Sequence, residues 1–285
     1  MKRTRTDKAF RVVAVVFVVL LALSIAFPLL MTISVSLQTM NEIYSADPVI
    51  IPAKVQFENY KTAMQNGNWA MYFFNSTIVT VITVVISLVI NSMAGFVFAR
   101  IPFKYRDALF IVILLGMMIP TQVTLIPVFT LLRSFHIITA SDSGLINTYA
   151  GLILPFIAGS FGVFLTRQFY VSFPKELDDA AMIDGCGRFS TYLRIYLPLS
   201  GPVLASLGVL KFTGTWNEYT WPLVATSGER LKTVQVALTS FRDEGEIYWN
   251  LLMAATLVAG LPIYVVFFFA QKHFVSGLLA GSVKA

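Results

Sequence analysis

Charge is scarce in this sequence. Only 13% of its 285 residues are Asp, Glu, Lys or Arg, against about a quarter in an ordinary soluble domain. That excludes a large soluble core. Cysteine is nearly absent as well. Cys186 stands alone, which rules out an intrachain disulfide framework and fits a small filler residue in a reducing compartment. His136 and His273 are isolated, and neither has a metal-ligand spacing. No Walker-type phosphate loop occurs, so the chain is not expected to bind ATP itself. No nucleophile, base and orienting group can be assembled, which argues against a membrane-embedded enzyme. The formal charge is +6, yet no long Lys or Arg run exists, which argues against nucleic acid as a partner.

What the chain has is apolar length. Its residues are 56% hydrophobic and its mean hydropathy is +0.74. A hydrocarbon core about 30 Å thick needs roughly 20 apolar residues of helix. Six stretches qualify: 12–33, 73–98, 108–132, 148–168, 201–224 and 250–271. The expectation is an all-α, polytopic membrane protein with six transmembrane helices in a single domain, 1–285. Fourteen Lys and Arg flank these spans on the side of the amino terminus, the 169–199 loop and the 272–285 tail, against six on the other side. The positive-inside rule then puts both termini in the cytoplasm. The basic start could mimic a signal peptide, but the apolar run continues to Leu37, so a retained first span is expected.

The loop 169–199 is the polar exception. Pro174 suits a first helical turn and Glu176 complements the helix dipole. Leu177, Ala180, Ala181 and Asp184 share one face, and the alanines leave room for a close neighbour. Gly185 and Gly187 offer the positive φ that ends a helix. Phe189, Tyr192, Leu193 and Tyr196 form an apolar stripe on a second short helix. Periodicity leaves two roles open for that stripe: packing on the chain's own helices, or docking a partner.

The spacing adds a resemblance. Asp179-Ala180-Ala181, three residues, Gly185, nine residues, then Ile195-x-Leu197-Pro198 resembles the EAA loop of ABC importer permeases, with Asp179 where Glu is usual. Trp216-Asn217-Glu218, Trp221-Pro222-Leu223 and the short tail from Gly277 are similar to the carbohydrate-uptake permeases, specifically the maltose-type second permease. The resemblance implies an ABC type I importer permease fold in a bacterial or archaeal inner (plasma) membrane. It implies a coupling loop of Glu176, Asp179, Ala180, Ala181, Asp184, Gly185, Ile195, Leu197 and Pro198. It also implies a partner ATPase dimer carrying ATP and Mg, a second, different permease, an extracytoplasmic solute-binding protein, and a sugar, oligosaccharide or polyhydroxy solute.

Breaks within apolar spans are the remaining signal. Gly116 to Gln122 interrupts the third span and Gly214 to Pro222 the fifth. A proline frees a carbonyl that needs a partner in lipid. Candidate pathway residues are Thr121, Gln122, Lys211, Asn217 and Glu218, because a charge in a span should face a cavity or a partner. Each has a plainer role available. Thr121 and Gln122 could satisfy freed carbonyls, Lys211 could snorkel or pair with a neighbouring subunit, and Glu218 could make a hydrogen bond at a helix end. An ion-coupled secondary transporter is the alternative: it suits the broken helices but leaves the loop spacing unexplained.

Overall fold

Ten consecutive β-branched residues, Thr77 to Ile86, would favour a strand in water. In the computed structural model they lie inside one helix, Trp69–Arg100. Hydrocarbon offers no water to an unpaired backbone, so a spanning segment must bond internally, and the helix overrides propensity. The structure describes residues 5–47, 49–135, 142–243 and 245–282. His136 and the tail residues 283–285 lie outside them.

Among the described residues, three helices are long and apolar enough to cross a membrane: Phe10–Ser36, Trp69–Arg100 and Trp249–Ala270. Three bent pairs also qualify. Arg106–Met118 meets Thr121–Ser134 at 104°, Tyr149–Phe156 meets Ser160–Val171 at 45°, and Arg188–Leu199 meets Gly201–Trp216 at 78°. The count is three spans, or up to six if each bent pair is one. The chain is mostly helical but not wholly so. Arg242–Asp243 pairs antiparallel with Glu246–Ile247, around a turn containing Gly245 at φ +106°.

The bends have local causes. Ile119 is extended (φ −83°, ψ 117°), as expected before Pro120. Pro155 sits in the short 3₁₀ turn Leu154–Phe156. Pro198 follows a π-helical turn, Tyr192–Tyr196, in which the Leu197 amide bonds back to Tyr192. Such wide turns accommodate an extra residue in a helix.

The residues fall into two units, Met1–Trp69 with Leu238–Gly260, and Ala70–Ala237 with Leu261–Ala285. In the first, the segment after Ser36 is tied by side chains. Asn59 Nδ2 donates to the Ser36 and Gln38 carbonyls at 2.9 Å. The Ser36 and Tyr60 hydroxyls are 2.8 Å apart. Asn250 Nδ2 donates to Asn59 at 3.0 Å, and Trp69 stacks on Phe241.

In the second unit, small residues bring helices together, as is usual in lipid. Asn91 and Ser92 are fully buried. The Thr166 hydroxyl lies 2.8 Å from the carbonyls of Asn91 and of Gly162. A Cβ at Gly95 would stand 2.1 Å from Thr166 Oγ1, and one at Gly162 would stand 2.6 Å from Asn91 Cγ. The helices Trp69–Arg100 and Ser160–Val171 therefore interlock. Gly162→Ala is expected to lower stability by about 1–3 kcal/mol through overpacking. A Cβ at Gly208 meets only Leu88, at 3.7 Å, so Gly208→Ala should leave the unfolding midpoint in detergent unchanged. Equal midpoints for both variants would overturn the interlock.

Candidate functional site

The polar loop begins with the helix Glu176–Ile183, which carries Glu176, Asp178 and Asp179 in its first turn. Carboxylates there complement the positive end of the helix dipole. The helix ends in a Schellman motif. The Gly185 amide donates to the Met182 carbonyl at 3.1 Å and the Cys186 amide to Ala181 at 2.8 Å. Gly185 takes φ +72°, the left-handed value this ending needs.

An ion pair pins this helix to the end of the long helix Trp69–Arg100. Arg100 Nε donates to Asp178 Oδ2 at 2.8 Å, and its Nη2 bonds the same oxygen. Two more donors reach the Phe173 and Pro174 carbonyls, each at 3.1 Å. Tyr196 donates to the other Asp178 oxygen at 2.9 Å. The Arg100 side chain is only 7% exposed, so its charge depends on these partners. Behind the pair, Phe96, Tyr170, Tyr192 and Tyr196 form a buried aromatic cluster. The Ser92 and Tyr192 hydroxyls are 2.7 Å apart, and Ser200 donates to the Tyr196 carbonyl at 2.6 Å.

The expected loop residues divide by exposure. Ala181 is buried, Ile195 and Leu197 are half-buried, and Glu176, Asp179, Ala180, Asp184, Gly185 and Pro198 face outward. The alanine pair therefore does not act as one buried surface. The apolar stripe divides too: Tyr192 and Tyr196 pack on the chain's own helices, while Phe189 and Leu193 are exposed. Met182 and Ile183 are 68% and 87% exposed, a conspicuous apolar tip on a charged helix. Sequence reading missed Arg100 and Asp178. They are 78 residues apart, and no spacing rule joins them.

A second site lies at the breaks. A cavity of about 470 Å³ is lined by Thr121, Gln122, Ser160, Lys211, Glu218 and Trp221, among others. Four of the five residues singled out from sequence therefore meet in one place. Asn217 does not line it: as the residue closing the helix Gly201–Trp216, it is exposed and accepts from Gln235 at 3.1 Å. Lys211 Nζ donates to the Phe156 carbonyl at 2.9 Å, at the break before Ser160–Val171. The Gly159 amide on the same break donates to Asn91 at 3.2 Å. Glu218 accepts from the Trp221 amide at 3.0 Å, capping the helix Thr220–Ala225. Lys211 and Glu218 thus hold helix ends and face the cavity at once. Among the described residues no group of His, Cys, Asp and Glu could hold a metal ion.

The chain is also similar to known proteins. Residues 91–279 match the family described as binding-protein-dependent transport system inner membrane component. The arabinooligosaccharides transport system permease protein AraQ of Bacillus subtilis is 32% identical, over 96% of this chain and 96% of that protein. The diacetylchitobiose uptake system permease protein DasC of Streptomyces coelicolor is 35% identical, over 93% and 94%. The fold is similar to that of a chain in a crystal structure of a bacterial ABC transporter involved in the import of the acidic polysaccharide alginate. The TM-score is 0.81 and the identity 21%, over 96% of this chain and 99% of that one.

Removing the Asp178 carboxylate strands a buried guanidinium. Asp178→Ala is expected to cost about 1.5–3 kcal/mol and to speed proteolysis within residues 174–198 of the purified protein. An unchanged unfolding midpoint together with an unchanged cleavage rate would show that the pair does not hold the loop.

Proposed function

Because the chain belongs to the family of binding-protein-dependent transport system inner membrane components, we propose that it works as a six-span ABC importer permease subunit, both termini cytoplasmic, whose pinned loop is driven by an ATPase dimer. The protein is a multi-pass component of the inner membrane, and ATP hydrolysis belongs to a separate polypeptide. ATP and Mg bind on that ATPase. An extracytoplasmic binding protein delivers the solute, and a second, different permease completes the pathway. The names of relatives support a carbohydrate as the solute. Nothing in the comparisons favours the ion-coupled alternative.

One observation carries the coupling role. The loop helix ends in an exposed apolar tip, Met182 and Ile183, while its first turn is fixed to the long helix by Arg100 and Asp178. A partner that grips the tip moves a rigid element rather than a slack tether. The spans then alternate between two states biased by nucleotide. Gly185→Trp tests this cleanly, because nothing lies within 4 Å of a Cβ at that position. The substitution should cost only about 1–2 kcal/mol of backbone strain. It is expected to reduce ATPase co-purification and ATP-driven uptake while the permease stays folded. Intact assembly and uptake would remove the loop from the coupling path.

The cavity supports the pathway role, with Thr121, Gln122, Lys211 and Glu218 offering donors and acceptors to a hydroxylated solute. Hydrogen bonds to an ionised group are worth about 1.5–3 kcal/mol, so Glu218→Gln should weaken uptake by roughly tenfold or more. Uptake at the original rate and apparent affinity would take Glu218 out of the pathway.

A further inference from the structure

Helical threonines here usually return their hydroxyls to their own helix. Thr32 bonds the Pro28 carbonyl at 2.9 Å, Thr130 bonds Ile126 at 3.0 Å, and Thr256 bonds Leu252 at 2.7 Å. Thr80 departs from this habit. It is 1% exposed, and its Oγ1 has no hydrogen-bond partner. Thr233, on the loop that follows Glu229, is 4% exposed and its Oγ1 is likewise unpartnered. Their neighbours fix both positions. Asn75 Nδ2 donates to the Arg230 and Lys232 carbonyls at 3.0 and 2.9 Å, and the Val234 amide donates to Ser76 Oγ at 2.9 Å. The loop is thereby stitched to the helix that carries Thr80.

Thr80 and Thr233 line one small void together with Ser76, Thr215 and Glu218. Its volume is about 10 Å³, close to the room that a single water requires. Thr83 Oγ1 is also unpartnered but does not line this void. Phe156 and Glu218 line both the void and the large cavity, so they form the wall between them. One Glu218 oxygen already accepts from the Trp221 amide.

We propose that this void is a binding site for one water molecule, held by Thr80 and Thr233, that donates to the Glu218 carboxylate from behind the cavity wall. A buried water needs two to four polar partners, and the two hydroxyls and the carboxylate supply three. Two threonine protons and one water proton are then used, and each orphan hydroxyl is satisfied. Thr80 and Thr233 are positioning residues: they fix how the Glu218 carboxylate meets whatever enters the cavity. That consequence rests on the pathway reading of the cavity, whereas the water site does not.

The test is an experimental structure of the assembled transporter, at a resolution that reveals ordered water, in sodium-containing and sodium-free buffer. The expected result is a single peak about 2.8 Å from Thr80 Oγ1, Thr233 Oγ1 and a Glu218 oxygen, in both buffers. It should vanish in the Thr80→Val, Thr233→Val double variant and persist in the Thr80→Ser, Thr233→Ser variant. No peak, a Thr80 hydroxyl turned back to its own helix, or a peak that requires sodium would each overturn the proposal. Uptake by the double-valine complex should fall about threefold to tenfold as Glu218 loses its support, and the double-serine complex should recover it. A peak that behaves as expected beside unaltered uptake would leave the water site standing and take the pathway role from the cavity.

Discussion

The constraint behind this structure is that a backbone carbonyl in hydrocarbon must find a donor. Water cannot supply one, and each unmet group costs several kcal/mol. A run of ten β-branched residues therefore becomes a helix. Two breaks likewise recruit side chains. The break before Ser160–Val171 leaves the Phe156 carbonyl to Lys211 and the Gly159 amide to Asn91. The break after Trp216 leaves the Trp221 amide to Glu218. The cavity collects polar side chains because it forms where helices end.

That coupling of breakage to polarity explains what was legible in the sequence. Thr121, Gln122, Lys211 and Glu218 stand out as polar groups beside prolines and glycines in apolar runs, and they share a cavity. Asn217 stands out by the same rule but turns outward to Gln235, because at a helix end one residue of rotation decides which way a side chain faces. The 45° bend in Tyr149–Phe156 and Ser160–Val171 was not legible. Its local marks are only Pro155 and Gly159, and the groups that satisfy it come from two other helices.

The loop teaches the same lesson at its aqueous end. Gly185 and its helix ending are local chemistry, so they can be read from the chain. Which half of the aromatic stripe is buried depends on Phe96 and Tyr170, which belong to other helices. The grip of Arg100 on Asp178 is a distant pairing that no local rule encodes. The spacing of the loop pointed to a family, and the geometry adds how the loop is held.

The close approach at Gly95 and Gly162 bears on where the molecule can bend. Helices that meet where no Cβ would fit, Gly95 against Thr166 and Gly162 against Asn91, do not slide freely past one another, since packed interfaces shift between discrete arrangements rather than deform continuously. The long helix, the helix Ser160–Val171 and the pinned loop are thus tied together by direct contacts. Their nearest compliant point is the broken stretch Leu154–Gly159, which borders the cavity. Lys211 holds a carbonyl within that stretch, that of Phe156.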